Sequence, residues 1–169
     1  MKRNVEIKAA ATDLAPIEQK AAKLADQGPT ILEQEDVFFR CPHGRLKLRR
    51  LSDRAELIAY ERPDAAGPKQ SRYVVYRTDD PDGLQNALTL ALGVRGVVRK
   101  RRTLYLIGAT RVHLDRVEGL GDFVELEVLL AEGQDPGEGF AAAQHLMAEL
   151  GISKGQLVKG AYIDLLEKP

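Results

Sequence analysis

The sequence predicts an α+β fold built on an antiparallel sheet of eight strands, and three observations lead there. Short segments of alternating polar and apolar residues recur along the chain between turn-forming residues. Four stretches instead carry apolar residues at helical spacing. The charge on the strands is also one-sided. Arg45, Lys47 and Arg49 share a face opposite Leu46 and Leu48, and Lys100 shares one with Arg102. Arg111, His113 and Asp115 share another, while Glu125 and Glu127 lie opposite Val124, Leu126 and Val128. A solvated sheet face mixes Lys with Glu, so these strands have one apolar and one ionic face.

The elements follow in order. Asn4–Lys8 alternates as a strand. Leu14, Ile17, Ala21 and Leu24 then recur at helical spacing over Asp13–Gln27, with Thr12 or Asp13 as N-cap and Gly28 as the stop. Glu33–Phe39, Arg45–Leu51, Ala55–Arg62 and Arg72–Tyr76 form an antiparallel meander, interrupted at Gly44, Ser52-Asp53 and Pro63–Pro68. Asp80-Pro81-Asp82 opens a second helix with Leu84, Ala87, Leu88 and Ala91 on its face and Gly93 as its stop. The strands Val97–Ile107, Thr110–Val117 and Asp122–Leu130 are joined by turns short enough for hairpins. Helical patterns at Phe140–Leu150, closed by Gly151, and near Ala161–Glu167 complete the chain.

A length of 169 residues predicts a single domain spanning 1–169. The 25 basic and 25 acidic residues cancel, which argues against nucleic acid as a partner held by the overall field. There is no apolar run long enough to span a membrane and no signal-peptide pattern at Met1–Lys8, so the expected location is the cytoplasm. The single Cys41 excludes an internal disulfide and any multi-cysteine zinc site. Phosphate-binding glycine loops are missing too, since Gly119-Leu120-Gly121 lacks the third glycine and following helix of a dinucleotide fingerprint. Any phosphate is therefore held by side chains.

Closing such a sheet into a barrel puts one face inside. Burial of apolar surface alone favours a packed apolar interior; the other closure gives an ionic interior, with helices covering the apolar exterior. In that second closure the interior acids are Glu6, Asp36, Asp115, Glu125 and Glu127. The interior bases are Lys8, Arg45, Lys47, Arg49, Arg62, Arg72, Lys100, Arg102 and Arg111. Nine bases against five acids leave an excess of about four positive charges, which suits a polyphosphate. Phosphoryl chemistry needs cations that neutralise phosphate oxygens beside carboxylates that hold a divalent metal. Glu125 and Glu127 lie about 7 Å apart along one strand face, close enough for one hydrated Mg²⁺ or Mn²⁺, with Glu6 and Asp115 able to complete the oxygen set. Phe38, Tyr60 and Tyr73 are available to stack on a base, although ordinary packing is the commoner role for each of them. His145, His43, Glu33 and Glu35 receive no role.

In these residues the sequence resembles the CYTH family, the triphosphate tunnel metalloenzymes. The resemblance runs from Val5-Glu6-Ile7-Lys8 through Gly44–Arg49, Lys100-Arg101-Arg102 and Arg111–Asp115 to Phe123–Glu127. Gln34–Phe39, Glu61–Asp64 and His113–Gly121 are most similar to its class IV adenylyl cyclase branch. The resemblance implies an eight-stranded antiparallel barrel with an ionic interior and helices outside. It also implies Glu6, Glu125, Glu127 and Asp115 as metal ligands for Mg²⁺ or Mn²⁺, and Asp115 and Lys8 as catalytic residues. Lys8, Arg45, Lys47, Arg62, Lys100 and Arg102 would grip the triphosphate, joined by Arg49, Arg72 and Arg111, and His113 would belong to the tunnel wall. One departure stands out: the family signature Glu-x-Glu-x-Lys is Asn4-x-Glu6-x-Lys8 here, and Asn offers an oxygen but no charge.

The implied partner is a small-molecule triphosphate, with neither nucleic acid nor membrane, and the chain is expected as a monomer or homodimer. Attack of the ribose 3′-oxygen on the α-phosphorus of ATP would give cyclic AMP and pyrophosphate. Attack of water on a terminal phosphorus of inorganic, thiamine or nucleoside triphosphate would give orthophosphate. Branch resemblance favours cyclisation. A non-catalytic nucleotide or polyphosphate sensor, with Asn4 marking lost turnover, is the third reading.

Overall fold

The computed structural model of the protein describes residues 1–168. Its elements are β1 (Lys2–Ala11), α1 (Ala15–Leu24), β2 (Gln27–Phe39), β3 (Arg45–Arg50), β4 (Ala55–Glu61), β5 (Lys69–Thr78) and α2 (Pro81–Leu92). They continue as β6 (Val94–Ile107), β7 (Thr110–Val117), β8 (Gly121–Leu130), α3 (Pro136–Leu150), a 3₁₀ turn (Lys154–Gln156) and α4 (Tyr162–Leu166). The eight strands pair in the order β1-β5-β4-β3-β2-β6-β7-β8, and β8 returns to β1, so the sheet closes into a ring. All pairings are antiparallel. The fold is α+β, with four helices on an eight-stranded antiparallel ring.

The strands and helix stops follow the sequence pattern except where chain geometry overrides it. The N-cap of α1 is Leu14, one residue beyond the expected Thr12 or Asp13, while Asp13 Oδ1 accepts from the Ala15 N–H at 2.9 Å. Gly28 does not end that helix, because the chain is already in β2, where the pairing with β6 shifts between Gln27 and Thr30. Its φ of 116° belongs to the left-handed side, and a Cβ there would lie 2.7 Å from the Leu104 carbonyl oxygen. Glycine is needed for a bulge and a close backbone approach. α2 keeps its expected bounds: Asp80 accepts from the Gly83 N–H at 2.9 Å, and the Gly93 N–H returns to Thr89. α3 begins at Pro136, four residues before Phe140, because Asp135 caps it through the Gly137 N–H at 2.9 Å. Asp135-Pro136 repeats the Asp80-Pro81 signal.

One face of the ring is apolar and covered by helices. Ile7, Val112, Leu114, Val124 and Leu126 pack against Leu14, Ile17 and Ala21 of α1 and Leu146, Met147 and Leu150 of α3. α2 covers Val37, Phe39 and Leu48 with Leu84, Leu88 and Leu92. Each fully buried aliphatic side chain contributes about 1.5–3 kcal/mol, so these outer layers stabilise the ring. α4 behaves differently: its Tyr162 and Ile163 pack with Phe38, Val98, Val117 and Phe123, and Ala161 and Tyr162 reach the cavity that the strands enclose. The stability of the ring therefore depends on outward-facing residues. Leu126→Ala is expected to cost about 2–5 kcal/mol, read as a lower urea midpoint with an unchanged m-value.

Candidate functional site

Alternation along the strands brings the other set of side chains to a cavity of about 170 Å³. Asn4, Glu6 and Lys8 come from β1, Asp36 and Phe38 from β2, and Lys47 and Arg49 from β3. Glu56, Ile58 and Tyr60 come from β4, Ser71, Tyr73 and Val75 from β5, and Lys100 and Arg102 from β6. Arg111 of β7, Glu125 and Glu127 of β8, and Arg62 just beyond β4 complete the ionic lining. Seven cationic side chains thus face five carboxylates, an excess of two where the sequence led to four.

The β1–β8 register places Glu6 directly opposite Glu127 and Lys8 opposite Glu125. Like charges opposite one another repel, and Glu6 shows the consequence. Burial raises its pKa and Glu127 and Glu125 add to the rise, together outweighing the Arg62 guanidinium hydrogen-bonded to it. Burial also works against Glu125, yet Lys8, His113, Lys100 and Arg102 outweigh it and hold this carboxyl well below its usual range. Lys8 Nζ lies 3.3 Å from Glu125, and Arg102 Nη2 donates to it at 2.9 Å. Across the cavity, Asp36 accepts from Arg49 at 2.7 and 2.8 Å and from Lys47 at 2.9 Å. Burial, together with the neighbouring Arg49 charge, lowers Lys47 to about 7 despite that acid.

Three expected site residues lie off the cavity lining. Arg72 is not on the cavity: its neighbours Ser71 and Tyr73 point inward, so its own side chain points out, is 57% exposed and donates to Glu61 at 2.7 Å. Asp115 is on the inward face but sealed behind the lining, with 0% of its side chain exposed. Arg102 holds both its oxygens at 2.7 Å, Tyr162 OH donates to Oδ2 at 2.8 Å, and Lys100 Nζ lies 3.3 Å away. Burial disfavours the carboxylate, but Arg102 and Lys100 outweigh it and keep the group ionised. These contacts tie Asp115 to Arg102, Tyr162 and Lys100, and the residue is not part of the cavity lining. Arg45 also turns aside, donating to Asp64 at 2.8 Å and Asp164 at 2.6 Å.

The remaining expected residues, Glu6, Lys8, Lys47, Arg49, Arg62, Lys100, Arg102, Arg111, Glu125 and Glu127, all reach one cavity. Phe38, Tyr60 and Tyr73 do so too. Glu33 and Glu35 point out and pair with Arg101 and Arg99, and His145 is exposed. Sequence reasoning missed Lys69 and Tyr162. Lys69 shares the inward parity of Ser71 and Tyr73, is 3% exposed, and its Nζ has no hydrogen-bond partner. Burial and the nearby Arg62 lower it to about 8. Tyr162 stacks under two cations, with Lys8 Nζ 4.0 Å and Lys100 Nζ 4.7 Å from its ring centre.

The carboxylate end fits a hard divalent cation. Ligand atoms of His113, Glu125 and Glu127 come within 4.8 Å of one another, and Asn4 Oδ1 is buried without a partner on the same lining. Oxygen-rich donors of this kind suit such an ion.

A closed eight-stranded antiparallel ring around a cavity crowded with Lys, Arg and Glu is the architecture of the triphosphate-tunnel class. The CYTH domain model matches residues 2–162, and the chain belongs to the CYTH family. An Aeromonas hydrophila protein named adenylate cyclase CyaB is 26% identical over 167 residues, covering 92% of this chain and 85% of that one. Among solved structures, the PH1012 protein of Pyrococcus horikoshii superposes with a TM-score of 0.85 at 28% identity, over 96% of this chain and 98% of its own. HpAC1 of Hippeastrum, named for adenylyl cyclase and described as having a dominant triphosphatase activity, matches at TM-score 0.63 and 14% identity over 90% and 89% of the two chains. No helix among the described residues is long and apolar enough to cross a membrane.

The buried pair gives a direct test. Asp115→Ala removes the bidentate partner of buried Arg102, leaving only its contact to Glu125, and is expected to cost about 3–5 kcal/mol in urea unfolding. Arg72→Ala, at a solvated and screened ion pair, is expected to cost less than about 1 kcal/mol. Equal effects of the two substitutions would remove Asp115 as the group that holds Arg102.

Proposed function

We propose that the protein is a divalent-metal-dependent enzyme that holds a triphosphate in its ionic tunnel and, as in class IV adenylyl cyclases, converts ATP to cyclic AMP and pyrophosphate. The observation that carries this is the meeting of Lys8, Arg62, Lys100 and Arg102 with Glu6, Glu125 and Glu127 in one cavity. Net positive charge favours the polyphosphate, and the carboxylates would hold Mg²⁺ or Mn²⁺. When bound, that cation would neutralise phosphate oxygens as charge develops on them.

The chain's own groups supply binding and orientation. Lys8, Lys47, Arg49, Arg62, Lys100, Arg102 and Arg111 would surround the phosphates, Lys8 as the catalytic lysine closest to the carboxylates. Arg102 is oriented from behind by Asp115, so its fork is fixed before substrate arrives. Lys69 stands as a further cation behind Glu6, its cross-strand partner. On the same cavity Tyr60 and Ile58 of β4 pair directly with Tyr73 and Val75 of β5 and form a continuous aromatic and aliphatic patch. That patch supports the cyclase reading, since a flat base needs such a surface and inorganic triphosphate does not. A triphosphatase is the second reading, supported by the activity described for HpAC1. Either way the partner is a small-molecule triphosphate.

The test is a product assay with ATP, inorganic triphosphate and thiamine triphosphate, each with Mg²⁺ or Mn²⁺. Cyclic AMP with equal pyrophosphate is the expected result. Orthophosphate without cyclic AMP would replace cyclase by triphosphatase, and binding without any product would leave a sensor. Glu127→Gln is expected to abolish metal-dependent turnover with the fold intact, and retained turnover at saturating metal would remove Glu127 from the site.

Binding should also be linked to protons. Near pH 8 the free protein holds Lys47, with a pKa of about 7, largely neutral, and a polyanion beside it favours the charged form. Inorganic triphosphate is therefore expected to bind with proton uptake, read as a buffer-dependent calorimetric heat that shrinks in Lys47→Met.

A further inference from the structure

Behind the carboxylates at one end of the cavity, and itself off the lining, lies a nitrogen that nothing in the chain satisfies. His113 lies directly opposite Glu125 in the β7–β8 register, its side chain is 5% exposed, and its Nδ1 has no hydrogen-bond partner. That atom is 3.7 Å from Glu125 Oε2 and 3.9 Å from Glu127 Oε1. Both separations are too long for a hydrogen bond. A bridging water accounts for them poorly, because acceptors that share one water at about 2.8 Å in tetrahedral directions sit about 4.6 Å apart. Ligands at about 2.1 Å from a cation sit about 3.0 Å apart in cis and about 4.2 Å in trans. The two histidine spacings fall between those limits, and the three ligand atoms lie within 4.8 Å of one another, so a small closing of the set would bring them around one ion. Glu125 Oε2 also accepts from Arg102 at 2.9 Å, which leaves a further lone pair on that oxygen.

We propose that His113 Nδ1 is a third ligand, with Glu125 and Glu127, of the divalent cation, and that this nitrogen biases the site toward Mn²⁺ over Mg²⁺. The proposal rests on the reading of the cavity as a metal site given above. Imidazole is a good donor to first-row transition ions, whereas Mg²⁺ holds oxygen ligands and water. A histidine among the carboxylates therefore changes which ion is preferred, as well as how tightly it is held.

The test is Mn²⁺ added to metal-free full-length protein, with and without inorganic triphosphate, followed by electron spin-echo envelope modulation. Nitrogen coupling to Mn²⁺ is expected in the wild type and in a His43→Gln, His145→Gln double variant, which keeps His113 as the only histidine. The coupling is expected to disappear in His113→Gln, with Mn²⁺ affinity falling about tenfold or more and Mg²⁺ affinity falling less. Bound Mn²⁺ without nitrogen coupling in the double variant would overturn the histidine ligand while leaving the carboxylate site in place. Coupling that persists in His113→Gln would do the same. Failure of Mn²⁺ to bind the wild type at all would overturn the metal reading itself. The double variant alters only exposed positions, so a His113→Gln chain that failed to fold would not decide the matter.

Discussion

The inward face of the ring depends on one constraint: Arg102 cannot be buried without Asp115. An ion of this size loses several kcal/mol of hydration on burial, and only a partner of matching geometry offsets it. The bidentate pair meets that requirement, and Tyr162 and Lys100 add contacts to Asp115 Oδ2. The same logic repeats across the cavity, where Asp36 holds Lys47 and Arg49. Asp115 behind the lining and Asp36 on it each hold cations of the cavity in place. Preorganisation of the binding groups and stability of the ring are therefore one arrangement.

A cavity lined with charged side chains buries little apolar surface, so the main apolar layers lie outside the ring. This is why α1 and α3 sit on the face of Ile7, Val112 and Leu126, and why α2 sits on Val37 and Leu48. α4 links the two sides. Its Ile163 packs in an apolar cluster, with Cδ1 2.6 Å from where a Cβ on Gly96 would be, while Tyr162 beside it reaches Asp115. The loop before it contributes the Gly160 carbonyl, which accepts from Lys8 at 3.1 Å and Arg62 at 2.9 Å. The C-terminal segment thus restrains two of the cations that the proposed function places on phosphate.

Period-2 charge patterning made most of this legible from sequence. Lys47 and Arg49, Lys100 and Arg102, and Glu125 and Glu127 share faces in the structure as alternation requires. Alternation gives parity only, however, and parity needs a strand with correct bounds. The pattern Arg72–Tyr76 starts three residues after the observed Lys69 and does not say which parity faces in; Lys69, Ser71 and Tyr73 hold the inward one, which puts Arg72 outside. Depth is invisible to parity as well: Asp115 and Glu125 are both inward, yet Asp115 lies behind the lining and Glu125 on it. Nor could the strands give Tyr162, which arrives from a five-residue helix through tertiary packing. The start of α3 was legible, since Asp135-Pro136 has the form that opened α2.

Asn4 gains a physical reason from its surroundings. It faces the same cavity as Glu6 and lies opposite Ser71 in the β1–β5 register, with its Oδ1 buried and unpartnered. Glu6 already faces Glu127, and their repulsion with Glu125 raises its proton affinity. A glutamate at position 4 would add another negative charge to that end of the ring, where Arg62 is the cation hydrogen-bonded to Glu6. An amide presents an oxygen of similar reach with no charge to balance. In the proposed site the donor set thus combines carboxylates with two neutral groups, Asn4 and His113. Lower total charge weakens the hold on a hard ion, and a nitrogen donor recovers affinity selectively for a transition ion, so one substitution in the family signature and one orphaned imidazole point toward the same metal preference.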